Sequence, residues 1–138
     1  MVLTKAFRAL AAHAEESLKL SRIGLGESDF AVLEALLHKG PLPVNTIGPK
    51  VWLTPGSISV AVDRLEKTAL VKRKNTDDRR VRLVELTAKG RALIIKIFRA
   101  HAAAMEEAAA VLSKEERLLL LRLLKKLGKG GADESERN

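Results

Sequence analysis

The chain contains no cysteine and no tyrosine, and aromatics make up only 3% of its residues. Without thiols there can be no disulfide, no thiolate metal site and no sensing by thiol oxidation. With so few aromatics the core must come from Leu, Ala, Val and Ile, and these are plentiful: 46% of the 138 residues are hydrophobic. Long apolar runs are missing too. The longest, Ala108 to Leu112, is five residues, whereas a membrane-spanning helix needs roughly 20. The N-terminus lacks the basic, apolar and small-residue succession of a signal peptide. These absences predict a soluble, cytoplasmic protein, and the length suits one domain with an appended assembly element. No nucleophile–base motif, phosphate-cradling glycine loop or catalytically spaced carboxylate pair is visible, so neither an enzyme nor a bound cofactor is expected.

What the chain does have is positive charge, unevenly placed. Its formal net charge is +8, and residues 50–91 carry +6 of it, while residues 1–49 are neutral overall. A focal basic patch suits a polyanionic partner, either nucleic acid or an anionic membrane face, although a solvated basic surface has the same composition.

Leu3, Phe7, Leu10, Ala14 and Leu18 recur at helical spacing, which predicts a first helix over Thr4 to Ile23. Phe30, Leu33, Leu36 and Leu37 predict a second, stopped at Gly40-Pro41. A short helix over Asn45 to Val51 follows, carrying Pro49. The next helix is the best marked. Thr54 suits its N-cap, Pro55 its first position, and Ile58, Ala61, Val62 and Leu65 its apolar face.

After Leu70 the period changes to two. Val71 and the stretch Val81 to Leu86 read as strands flanking the polar turn Asn75 to Arg80. Thr87 then caps a long helix drawn to Leu112. Ser113 and Glu116 form a capping box for a last helix ending at Gly128, and a disordered tail is expected beyond it. The fold class is mainly α with a small β-hairpin wing: a winged helix-turn-helix domain plus a helical dimerisation region. The expected divisions are an N-terminal dimerisation helix at 1–24, the DNA-binding domain at 25–91, C-terminal dimerisation helices at 92–127 and the tail at 128–138. The terminal helices are too long for a winged helix alone to cover, so their apolar faces require either a second copy or an internal three-helix pack.

In a helix-turn-helix the second helix enters the major groove and its N-terminal residues meet base edges. Here that N-terminus is small and polar: Thr54, Pro55, Gly56, Ser57 and Ser59, with Val60 able to meet a thymine methyl. Arg64 and Lys67 lie a turn or two later, within reach of phosphates or a guanine. The hairpin adds Lys72, Arg73, Lys74, Arg79, Arg80 and Arg82 within eleven residues. A tip of this kind can slide an arginine into a narrow minor groove, with a neighbouring aspartate orienting the guanidinium. Each feature alone also fits an ordinary capped helix or a solvated turn. Together they favour double-stranded DNA.

The segments Leu53-Thr54-Pro55-Gly56-Ser57-Ile58-Ser59, Asp63-Arg64-Leu65-Glu66-Lys67, Leu70-Val71-Lys72-Arg73, Asp78-Arg79-Arg80 and Leu86-Thr87-Ala88-Lys89-Gly90 resemble the MarR family of transcription regulators. The likeness runs from about Leu25 to Arg91. It implies a homodimer on a pseudo-palindromic operator, commonly repressing nearby genes and releasing DNA when a small aromatic or anionic ligand binds. It carries over Ser57, Ser59 and Arg64 as recognition-helix contacts, and Arg80 as a minor-groove arginine oriented by Asp78. Two departures stand out. Val60 replaces a residue often polar or basic, and Thr68-Ala69 replaces a frequent glycine, which would alter the turn into the wing.

The alternatives are a winged-helix protein–protein adaptor that binds no DNA, and a helical enzyme or metal-binding protein. His13, His38 and His101 lack paired-ligand spacing and are expected to be structural or surface residues, with His13 and His101 placed where an effector pocket could lie. Trp52 is expected to anchor the core or a helix junction.

Overall fold

The computed structural model describes residues 1–20, 24–51 and 53–135. The expected helix end at Ile23, Trp52 and the last three residues of the tail lie outside these. In chain order the elements are α1 (Val2–Leu20), α2 (Glu27–Lys39), β1 (Leu42–Pro43), α3 (Val44–Val51), α4 (Pro55–Lys67), β2 (Val71–Asn75), β3 (Arg82–Leu86), α5 (Ala88–Ala108) and α6 (Lys114–Ser135). The core gathers Phe30, Val32, Leu33 and Leu36 of α2, Ile47 of α3, and Ile58, Ala61, Val62 and Leu65 of α4. Leu18 of α1, Leu70 just before the hairpin, Val71 and Val84 from the sheet, and Ile94 and Ile97 from α5 complete it. The aliphatic residues carry it, as the composition requires.

Local chemistry sets most of the boundaries. Asp29 reaches back one turn to accept a bond from the Gly26 N–H, 3.2 Å away, which satisfies a donor left over at the start of α2. Gly40 closes the helix at φ 77°, a conformation that favours glycine, and Pro41 follows. Thr54 caps α4 by accepting from the Ser57 N–H. Thr87 caps α5 by accepting from the Gly90 N–H at 2.9 Å. The Ser113–Glu116 capping box is complete in both directions, at 2.7 and 3.2 Å.

Four points depart from the sequence reading or go beyond it. Leu42–Pro43 is a strand, pairing antiparallel with Val84 and Leu83, so the wing is a three-stranded sheet of order β1-β3-β2. Two residues beside prolines carry no periodicity to detect. Second, Val84 is the fully buried residue of β3, although alternation alone could not choose between its face and that of Leu83. Third, α5 stops at Ala108 rather than Leu112. Ala109 to Leu112 make a turn, with Leu112 N–H on the Ala109 carbonyl, because the capping box at Ser113 requires non-helical backbone before it. Arg117 ties that corner by donating to the Leu112 carbonyl and pairing with Glu106. Fourth, α6 continues to Ser135, past the expected stop and into the segment expected to be disordered. A glycine such as Gly128 costs a helix about 1 kcal/mol but is not a stop unless the backbone turns left-handed there.

Candidate DNA-binding surface

α3 and α4 form the helix-turn-helix. Gly48 permits their close crossing: a Cβ there would sit 3.0 Å from the Leu53 carbonyl oxygen and 3.4 Å from Ile58. α4 buries Ile58, Ala61, Val62 and Leu65, so Gly56, Val60, Asp63 and Lys67 run along its opposite, outward face. Ser57 and Ser59 flank that ridge, and Thr54, Pro55, Gly56, Ser57, Ser59, Val60, Arg64 and Lys67 are all exposed. The expected contact residues of α4 therefore do share one solvent-facing surface.

The hairpin is held beside this helix by a joint at Leu70. Leu70 N–H donates to the Leu65 carbonyl and Ala69 N–H to that of Glu66, a Schellman closure of α4. Ala69 occupies the left-handed position usually filled by glycine, at φ 58°. The turn into the wing thus closes through a left-handed residue despite the Thr68-Ala69 departure, and the alanine carries the strain. Lys89 Nζ donates to the Thr68 carbonyl at 3.1 Å, a cation at a helix C-terminus.

The Leu-Thr-x-x-Gly motif supplies the other half of the joint. Thr87 donates from its hydroxyl to the Ala69 carbonyl at 2.7 Å and from its backbone to that of Leu70. Gly90 lies so close that a Cβ would fall 1.9 Å from the Leu70 carbonyl oxygen. Only glycine fits there.

The basic residues divide into two groups. Arg64 turns to α2, where its Nε and Nη2 donate to Asp29 Oδ1 at 3.2 and 2.8 Å and Nη2 also reaches Ser28. Arg73 bridges from β2 to Asp63 at 2.7 Å and to Glu66 of α4. Its guanidinium is held above its ordinary pKa chiefly by the hydrogen bond to Asp63, and it stays charged. Lys72 pairs with Glu85 across the hairpin. These residues, two of them expected at the DNA surface, are used within the fold as braces.

By contrast, no ion pair among the described residues engages Lys67, Lys74, Arg79, Arg80 or Arg82, and all five are exposed. Arg79, Arg80 and Arg82 line one wall of a groove of about 570 Å³, with Asn45 and Thr46 of α3 on the other. Asp78 and Arg80 meet through the backbone: Asp78 Oδ1 accepts from the Arg80 N–H at 3.0 Å, which shapes the turn. Its position two residues earlier suits such a backbone turn.

His38 and His101 serve packing. His38 meets Phe98 edge-on at 5.0 Å. His101 packs on Phe30 at 4.7 Å and bonds Ser17 of α1 at 2.8 Å through Nδ1. His13 lines a shallow hollow between α1 and α5. Sequence reasoning missed the Gly48 contact and the Arg73 brace. Gly48 stands inside a run whose proline already blurred the pattern, and the brace joins residues seven and ten apart on different elements.

A helix with a bare polar N-terminus on its exposed face, and a cationic hairpin fixed beside it, define a winged helix-turn-helix DNA-binding protein. Residues 25–81 match the sequence profile of the MarR family. The HTH-type transcriptional regulator MhqR of Bacillus subtilis is 40% identical over 93% of this chain and 88% of its own length. A probable transcriptional regulator from Pseudomonas aeruginosa, of known crystal structure, superposes with a TM-score of 0.77 at 31% identity, covering 91% of this chain and 93% of that one. Bordetella bronchiseptica BpsR, whose structure concerns regulation of DNA binding by 6-hydroxynicotinic acid, shares the fold with a TM-score of 0.81 at 23% identity over 92% and 90% of the two chains. The chain belongs to the MarR family of DNA-binding transcriptional regulators, which are not enzymes.

Proposed function

We propose that the protein is a cytoplasmic homodimeric repressor that binds a pseudo-palindromic operator and releases it when a small aromatic or anionic ligand binds. The observation that carries the dimer is the exposed apolar surface of the terminal helices. Leu118, Leu121, Leu124 and Leu127 of α6 are 43–65% exposed in the single chain, and Leu3 and Phe7 of α1 are 60% and 69% exposed. Monomers rarely leave so much contiguous apolar surface in water, and a second copy covers it most simply. No helix among the described residues is long and apolar enough to cross a membrane.

Two-fold symmetry would place the recognition helices about 34–36 Å apart, one per half-site. On this reading Ser57, Ser59 and Val60 meet base edges. Arg80 enters the minor groove, while Lys67, Lys74, Arg79 and Arg82 neutralise phosphates. The ligand reading is supported by a groove of about 360 Å³ between α2, α4 and α5, apolar at Leu25, Leu65 and Leu93 and rimmed by Arg64 and Lys89. An anion there would compete with Asp29 for Arg64 and loosen α4 from α2.

The test is selection of bound sequences from random duplexes by the full chain, with its mass measured by light scattering. Enrichment of an inverted repeat by a dimer is expected. A monomer refutes the homodimer, and a selection that enriches nothing refutes operator binding and leaves the protein-binding adaptor.

A further inference from the structure

The outward ridge of α4 carries no side chain at Gly56 and a bare isopropyl group at Val60, the next position on that face. Val60 is 54% exposed, although its helix buries four other apolar residues. A Cβ at Gly56 would meet nothing within 4 Å, so close packing inside the molecule does not explain the glycine. Nor does folding explain the valine, since a β-branched residue is a mediocre helix former and its exposed methyls gain nothing from this core.

The charged groups nearest this spot are engaged elsewhere. Arg64, one turn on, is drawn away to Asp29, and Asp63 is occupied by Arg73. Thr54 donates to Ser57 Oγ at 2.9 Å, which leaves the Ser57 hydroxyl to donate outward. The centre of the recognition surface is therefore a small apolar knob beside a gap, with hydroxyl groups on either side.

Among base edges in the major groove, only thymine offers an apolar group, its C5-methyl. We infer that Val60 is a specificity-determining residue that packs on the C5-methyl of a thymine in each half-site, with Gly56 letting the helix backbone approach closely enough for contact. This rests on the DNA-binding reading above and fixes one base within it.

The experiment uses the full chain and the duplex recovered by selection. Each thymine of a half-site is replaced in turn by deoxyuridine, which removes the methyl and leaves the pairing edge intact. At one position per half-site, affinity should fall about fourfold, and about fifteenfold when both half-sites are changed, the value of burying one methyl-sized group each time. V60A, at an exposed site where folding is confirmed by a melting curve at or slightly above the parent's, should bind the thymine duplex more weakly and be indifferent to uracil at that position. Equal uracil penalties in V60A and the parent chain, or no penalty at any thymine, overturn the assignment while DNA binding stands. A selection that enriches nothing overturns the DNA-binding reading itself.

Discussion

Arg73 offers the sharpest separation between a residue that touches DNA and one that prepares the surface for it. Its side chain, 26% exposed, spans from the wing to Asp63 and Glu66, which are 57% and 40% exposed on α4. Asp63 lies on the outward ridge, two positions of that face from the serine-rich N-terminus. Without the guanidinium, two carboxylates would face the phosphate backbone. Unit charges 6 Å apart repel by about 0.7 kcal/mol in bulk water and about 3 kcal/mol at an effective dielectric of 20. With screening over about 8 Å at physiological salt, the pair should cost about 1.5–3 kcal/mol of binding, or roughly ten- to a hundredfold in Kd. Folding should suffer far less, because exposed ion pairs contribute only about 0.2–1 kcal/mol. R73A is therefore expected to melt nearly as the parent does, yet bind operator at least tenfold more weakly in fluorescence anisotropy. The triple variant R73A/D63N/E66Q should regain most of that loss, since it removes the exposed negative charge. A triple variant as weak as R73A would refute the reasoning and make Arg73 a direct DNA contact.

G90A should destabilise the fold by about 2–4 kcal/mol in denaturant titration, because its Cβ must displace the Leu70 carbonyl and the Thr87 bonds with it; a change under 0.5 kcal/mol would show the joint to be loose. A69G should stabilise by about 0.5–1 kcal/mol at fixed protein concentration, the left-handed strain relieved less the entropy a glycine adds to the unfolded chain. R80A should cost about 1–3 kcal/mol of operator affinity, whereas D78N, which alters only a turn bond, should cost clearly less; equal losses would restore the aspartate as the orienting partner. K74A should weaken binding to all sequences alike and flatten the salt dependence by about one unit, and an unchanged slope would remove Lys74 from the phosphate contacts.

Helix starts and the hairpin were legible in the sequence because each is fixed by chemistry within a few residues: Thr54 and Pro55, the Ser113–Glu116 box, and alternation around a polar turn. Strand β1 was not, because its two residues form only where β3 presents an edge to them. The end of α5 was hidden inside an alanine run that favours helix at every position, while the decision to stop was made by the next helix's cap. At the candidate site residue types are legible in the sequence but allegiances are not. Arg64, Arg73, Lys74 and Arg80 look alike in a basic segment, and only the folded positions of Asp29, Asp63 and Glu66 separate braces from free cations.

That division bears on how such a surface recognises DNA at all. A hairpin carrying six cations would repel itself and sample many orientations if each charge were left to solvent. Lys72 and Arg73, nearest the strand's start, are instead paired with Glu85, Asp63 and Glu66, and the backbone joint at Leu70 locks the same end. The unpaired cations lie towards the tip. The base of the wing is thus rigid relative to α4, and the ordering entropy of docking two separate elements is reduced before DNA arrives. Charge at the tip can then supply affinity without regard to sequence, while the neutral, hydroxyl- and valine-bearing face of α4 is left to discriminate among bases. Recognition by this protein should accordingly split: variants at Lys74, Arg79 and Arg82 change the salt dependence and leave base preference intact, and variants at Ser57, Ser59 and Val60 do the reverse.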